Sequence, residues 1–252
     1  MKNNNNQVDK DHCKALLDAA YLYLTPFIII RNENGLKKIK NGTAFFLDTG
    51  SRKFAVTAHH VFAEYKAAKE ACGDKAECYI GNIKFDPMAR LIAFDEDLDI
   101  ATFDILEVEV KRNNQYFLTG SQSSWPPKPP QEDRSVIVAG FPGCERIDCS
   151  GSMDFGRSGF VDFVQSVGEK NVICHLNYDN MIDVVGRGVV PPQGYDLRGI
   201  SGAPLITIVD HDSGLQSWRL GGVVYEAVIK KIAYFMGLFM LRVRILSMQM
   251  AL

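Results

Sequence analysis

A long series of short apolar segments, parted by turn-forming residues and interrupted once by a cluster of prolines, limits what this chain can fold into. Runs rich in β-branched and aromatic residues occur at 26–31, 43–47, 53–57, 78–85, 89–94, 100–103 and 105–110. They resume at 135–140, 159–164, 171–176, 203–209, 217–225 and 233–239. Asn34-Gly35 and Asn41-Gly42 read as turns between strands, and Asp48-Thr49-Gly50-Ser51 as the tip of a hairpin. Many short strands with turns between them indicate a sandwich or a barrel. Between the two series lies 113–130, which ends in Trp125-Pro126-Pro127-Lys128-Pro129-Pro130. Proline cannot donate to a central strand, so this stretch is expected to be an extended connection between two halves. Helical spacing of apolar residues appears at 11–24, and an Ala- and Lys-rich helical patch at 61–71.

With 252 residues, 46% of them hydrophobic, a chain of this size hides roughly three quarters of its unfolded surface. One domain of two packed halves is expected. A net charge of −2 gives no electrostatic case for nucleic acid or an acidic membrane. The apolar stretch 232–252 carries Arg242 and Arg244 in its middle, and each would cost roughly 2.5–3.5 kcal/mol at a bilayer centre. A buried strand followed by a short C-terminal helix is the expectation there, and no membrane span. The opening MKNNNNQVDKDHCKALL lacks the apolar core of a secretory signal, so a cytoplasmic location is expected. The six cysteines, Cys13, Cys72, Cys78, Cys144, Cys149 and Cys174, are then expected to be free thiols. Neither close pair, 72/78 or 144/149, has a neighbouring His, so no zinc site and no other metal or cofactor is expected.

Three segments carry chemistry. In Thr57-Ala58-His59-His60-Val61 a strand ends on histidine; in Asp97-Leu98-Asp99-Ile100-Ala101 an Asp leads into a strand; in Gly199-Ile200-Ser201-Gly202-Ala203-Pro204 a serine sits in a glycine-flanked turn. A serine hydroxyl needs a base within hydrogen-bond reach, and His is the natural one near neutral pH. A carboxylate behind the His fixes its tautomer. The oxyanion that develops needs backbone N–H groups aimed at it, and Gly199 and Ser201 would supply them. The order His, Asp, Ser, with the proline cluster between the second and third, excludes an α/β-sheet esterase, where Ser comes first. Alone, each segment reads equally as a turn, a surface histidine or a strand-start acid.

Together they resemble the trypsin-like, chymotrypsin-fold serine peptidases, and among these the compact bacterial members. Gly42-Thr43-Ala44-Phe45-Phe46-Leu47 is similar to the opening Gly-(Ser/Thr)-Gly-Phe strand. Thr57–His60 resembles Thr-Ala-Ala-His, Asp99-Ile100-Ala101 resembles Asp-(Leu/Ile)-Ala, and Gly199–Pro204 resembles Gly-(Asp/Asn)-Ser-Gly-Gly-Pro. Leu220-Gly221-Gly222-Val223-Val224-Tyr225 resembles the strand that runs beside the substrate. The resemblance implies an all-β chain: two six-stranded antiparallel barrels with a short N-terminal helix and a C-terminal helix. It divides into an extension at 1–25, a first barrel at 26–117, a linker at 118–134 and a second barrel with the terminal helix at 135–252. It implies a serine endopeptidase with His60, Asp99 and Ser201 as triad, Gly199 and Ser201 as oxyanion hole, and a protein or peptide as substrate. His59 stands where the motif usually has Ala and is the alternative base. Tyr195, Asp196, Tyr225 and Glu226 are the implied substrate-binding residues. Tyr195 falls where an acidic specificity residue would be expected. Ile200 replaces the acid that often precedes the serine, which implies no zymogen switch and leaves room for a regulatory protein partner. A silent descendant of the fold, acting as a protein-binding module, is the second reading.

Overall fold

A computed structural model of the chain describes residues 3–33, 35–119, 126–149, 152–176, 195–232 and 235–244. Helix α1 (Asn3–Ala20) and a 3-10 turn (Tyr21–Tyr23) lead into strands β1 (Leu24–Glu33), β2 (Leu36–Asp48) and β3 (Lys53–Ala58). Helix α2 (His59–Cys72) follows, then β4 (Ala76–Ile80), β5 (Ile83–Phe85), α3 (Pro87–Arg90), β6 (Leu91–Asp95), β7 (Ile100–Phe103), α4 (Glu107–Arg112) and β8 (Leu118–Thr119). These strands form one curled sheet in the order β5-β4-β1-β2-β3-β7-β6, with β8 paired in parallel beside β2. The second series is β9 (Ser135–Gly140), the hairpin β10 (Arg146–Cys149) and β11 (Ser152–Phe155), β12 (Ser158–Val167), β13 (Asn171–Leu176), β14 (Pro204–Asp210), β15 (Gln216–Ile232) and β16 (Phe235–Arg244). Six of them close into an antiparallel barrel, β12-β13-β16-β15-β14-β9.

The all-β, two-barrel class expected from the sequence is what the chain adopts. The second barrel has the six strands expected; the first is an eight-stranded curled sheet rather than a closed six-stranded one. Two local expectations need correction. The pair Asn41-Gly42 does not turn the chain but lies inside β2, with Gly42 opposite Phe27 of β1. A Cβ on Gly42 would come within 2.7 Å of the Val61 side chain and 3.2 Å of the Ser201 carbonyl oxygen, so the glycine serves close approach. The segment 105–110 forms no strand: its last four residues begin helix α4. Its buried Glu109 accepts the Leu106 N–H at 2.9 Å and a two-pronged ion pair from Arg90 at 2.6 and 2.8 Å. The tertiary partner therefore overrides the β-branched composition. The hairpin β10–β11 had no apolar signal, because its residues are mostly exposed. The expected C-terminal strand is β16; the expected helix after it lies outside the described residues, as does Asn34 of the first turn.

The two halves share a core. Leu16, Leu17 and Tyr21 from the N-terminal segment pack in one cluster with Phe45, Val56 and Ile100 of the curled sheet and Ile137, Ile206 and Leu220 of the barrel. Helix α1 thus acts as a strap over the seam. Its burying face explains why it persists despite the polar residues 3–10, since tertiary packing supplies most helical stability. Leu17 is fully buried, so Leu17→Ala is expected to cost about 2–5 kcal/mol, read as a lower urea midpoint with an unchanged slope. The Arg90 hydrogen bonds hold the Glu109 carboxyl below its ordinary value of 4.5, against the opposing effect of burial. A depressed carboxyl stabilises the fold above that ordinary value, and the contribution disappears as pH falls through the folded value. Glu109→Gln should therefore lower stability by about 1.5–3 kcal/mol at neutral pH. The gap from wild type, measured by urea denaturation, should close in acid below the depressed value.

Candidate active site

Strand β3 delivers the first site residue. It runs through the sheet between β2 and β7, buried from Phe54 on, with the Thr57 hydroxyl donating to the Thr43 carbonyl at 2.6 Å, and ends where α2 begins at His59 and His60. Pairing of β3 with β7 sets Ala58 opposite Ile100, which brings Asp99 alongside the two histidines. The His59 N–H donates to the Asp99 carbonyl at 3.0 Å. The His60 N–H donates to one Asp99 carboxylate oxygen at 2.8 Å, and His60 Nδ1 meets the other at 2.7 Å. Asp99 holds φ at +52°, a left-handed conformation that Asp tolerates better than most residues. With Nδ1–H facing the carboxylate, Nε2 is left as the acceptor. His59 takes another direction: its ring stacks on Phe94 with centroids 5.0 Å apart and planes at 15°.

Ser201 sits on a compact turn. Ile200 N–H donates to the Leu197 carbonyl and Ala203 N–H to that of Ile200, at 3.0 and 2.9 Å. Gly199 and Gly202 have φ of +105° and +90°, which glycine alone adopts freely. A Cβ on Gly202 would fall 2.0 Å from the Thr43 carbonyl oxygen. From the other half, Thr43 N–H donates to the Ser201 carbonyl and its hydroxyl to the Gly199 carbonyl, both at 2.8 Å. Gly143 N–H donates to the Arg198 carbonyl at 2.7 Å. In a planar trans peptide the N–H points opposite to the C=O, so the Gly199 N–H is directed away from Gly143. Among the described residues, neither the Gly199 nor the Ser201 N–H has a hydrogen-bond partner. The Ser201 hydroxyl donates to the Tyr225 carbonyl at 3.5 Å.

His60, Gly199 and Ser201 line one open cavity of about 540 Å³, at the seam between the curled sheet and the barrel. Of the four expected substrate-binding residues, Asp196 also lines it. Its carboxylate is held by the Arg198 guanidinium at 2.7 Å, which lowers its pKa. The other three are not among the lining residues. Tyr195 is buried, and its hydroxyl donates to the Glu145 carboxylate at 2.7 Å. Burial, reinforced by that carboxylate, pushes the phenol's pKa up. Tyr225 contributes its backbone carbonyl to Ser201, and Glu226 pairs with Arg242 at 2.8 Å.

The structure adds wall residues that carried no signal in the sequence: Lys40, Asn41, Glu64, Gly143, Cys144 and Arg146. Only Glu64 had a clue, as it lies four residues beyond His60 and hence on the same helix face. Its carboxylate sits between Lys40 at 2.7 Å and Arg31 at 2.8 Å, and the Lys40 hydrogen bond holds its pKa low against burial. Cys144 donates its thiol to the Asp196 carbonyl at 3.0 Å, and burial raises its pKa. All six cysteines are free. Among the described residues no group of His, Cys, Asp or Glu is placed to hold a metal ion, and no helix is long and apolar enough to cross a membrane.

No family model and no curated protein matches the chain. Among solved structures it is similar to the Rv3671c protease of M. tuberculosis in its active form, at 16% identity over 92% of this chain and 81% of that one, with a TM-score of 0.47. It is also similar to the serine protease domain of the Sesbania mosaic virus polyprotein, at 12% identity over 88% of this chain and 92% of that one, with a TM-score of 0.40.

Proposed function

We propose that the chain is a serine endopeptidase that hydrolyses peptide bonds of a protein substrate. One observation carries the reading: His60, held by Asp99, lines the same cavity as Gly199 and Ser201, whose backbone N–H groups have no partner among the described residues. Asp99 holds Nδ1–H of His60, so Nε2 acts as base. In this mechanism the Ser201 hydroxyl leaves its long contact with the Tyr225 carbonyl for Nε2, and catalytic hydrogen bonds often form only once substrate is bound. The serine oxygen then attacks the substrate carbonyl, and its proton passes to His60. The Gly199 and Ser201 N–H groups receive the oxyanion. His60 returns the proton to the departing amine, and water releases the acyl group by the same path in reverse. Ile200 lies buried where related enzymes often carry an acid, which supports an enzyme whose nucleophile turn does not wait for a new N-terminus.

The expected outcome with a fluorophosphonate probe is stoichiometric labelling that vanishes in Ser201→Ala. A folded wild-type protein that takes no label would favour the silent, protein-binding reading instead. His60→Ala should lose most peptidase activity and His59→Ala keep it; the opposite pattern moves the base to His59. Asp99→Asn should fold, since Asn also tolerates left-handed backbone, yet be slowed roughly ten-thousandfold because the imidazole is held in the wrong tautomer. Wild-type turnover by that variant would sink the assignment of Asp99.

A further inference from the structure

The cavity beside Ser201 contains several charges, and among the described residues all but one of its ionic side chains beyond the triad are paired. Lys40 and Arg31 share Glu64, and Asp196 and Arg198 hold each other. The exception is Arg146, half-buried at the start of β10. Its Nη1 donates to the Ile39 carbonyl at 3.0 Å, across the seam on β2. Among the described residues it has no carboxylate partner. The neighbouring Glu145 is engaged by the Tyr195 hydroxyl. A guanidinium has five N–H donors in a rigid fork, and one bond to Ile39 anchors this fork at the cavity wall. Such a fork fits a carboxylate with two parallel hydrogen bonds. The anchor also removes part of the side-chain entropy that binding would otherwise cost.

The position of the cavity decides which half of a substrate meets Arg146. Besides the nucleophile segment at Asp196 to Ser201, its walls are β1 at Ile29, β2 at Lys40 and Asn41, α2 at His60 and Glu64, and the stretch from Gly143 to Arg146; among the described residues none of β15 lines it. In the proposed mechanism His60 hands its proton to the departing amine, so the departing half lies over His60 and continues along the α2 and β2 walls. We infer that Arg146 selects substrates with an acidic side chain (Asp or Glu) among the first residues on the leaving-group side of the scissile bond. The inference rests on the peptidase reading above.

The test uses the full chain and a fluorogenic peptide library. The acyl half is randomised, and the leaving half carries Glu, Gln or Lys at each of its first positions. The readout is the ratio of kcat/KM for Glu over Gln within each variant, which does not depend on that variant's absolute activity. Wild type should prefer Glu roughly ten- to a hundredfold, and the preference should weaken as salt is raised. Arg146→Gln should bring the ratio close to one, Arg146→Glu should shift preference to Lys, and Arg146→Lys should keep a reduced preference for Glu. Fluorophosphonate labelling of each variant reports whether its site is folded, and Arg146→Lys carries the test if the other two are not. A wild-type ratio near one, in protein that takes the label, overturns the role of Arg146 and leaves the peptidase intact. So does a Glu preference that survives in labelled Arg146→Gln. If the folded wild type neither takes the label nor cleaves any peptide, the peptidase reading fails, and this inference with it.

Discussion

Thr43 is fully buried and makes hydrogen bonds with every polar group it has. Its N–H and hydroxyl reach across the seam to the Ser201 and Gly199 carbonyls, the hydroxyl oxygen accepts the Phe141 N–H at 3.1 Å, and its carbonyl accepts the Thr57 hydroxyl. One residue of the curled sheet thereby fixes the nucleophile turn, the end of β9 and the strand that leads to His60. In a buried seam such bonds are stronger than in solvent, and leaving any one unmade is costly. The geometry of the candidate site therefore depends on the two halves being seated on one another, more than on either half alone.

The remaining features of the site follow from that seating. Gly42 allows β2 to approach the nucleophile turn, and Asn41 ties the same strand to the Phe141 carbonyl at 2.6 Å. Helix α1 and the apolar cluster around Leu17 hold the halves together from behind. On the barrel side, the segment after β9 contributes Gly143, whose bond to the Arg198 carbonyl sets the direction of the Gly199 peptide. The same segment carries Arg146 into the cavity wall. The direction of the Gly199 peptide and the charge of Arg146 at the cavity wall thus both depend on one short stretch of chain.

The strands that could be read directly are those with buried, β-branched interiors: β7 and β9 keep their sequence-derived ends, and β13 does too. Reading failed where a residue serves a distant partner. Asn41-Gly42 has the composition of a turn, yet its glycine makes room for Val61 and Ser201 and its amide bonds another half of the molecule. Residues 105–110 have the composition of a strand, yet Arg90 draws Glu109 into a helix. Tyr195, expected at the substrate pocket by resemblance, is buried in the fold and its hydroxyl donates to Glu145, a contact no local pattern announces.

From the sequence alone came the all-β class, the division at the proline cluster, and the three segments bearing His60, Asp99 and Ser201. Each of these is written in local chemistry: alternation and β-branching, missing N–H donors, and a reactive side chain at a strand boundary. Only the tertiary structure decided that His60 rather than His59 faces Asp99, and which N–H groups and cavity charges have no partner among the described residues. Those facts depend on strand register and on contacts between residues a hundred or more positions apart, and no local pattern encodes who meets whom across a seam.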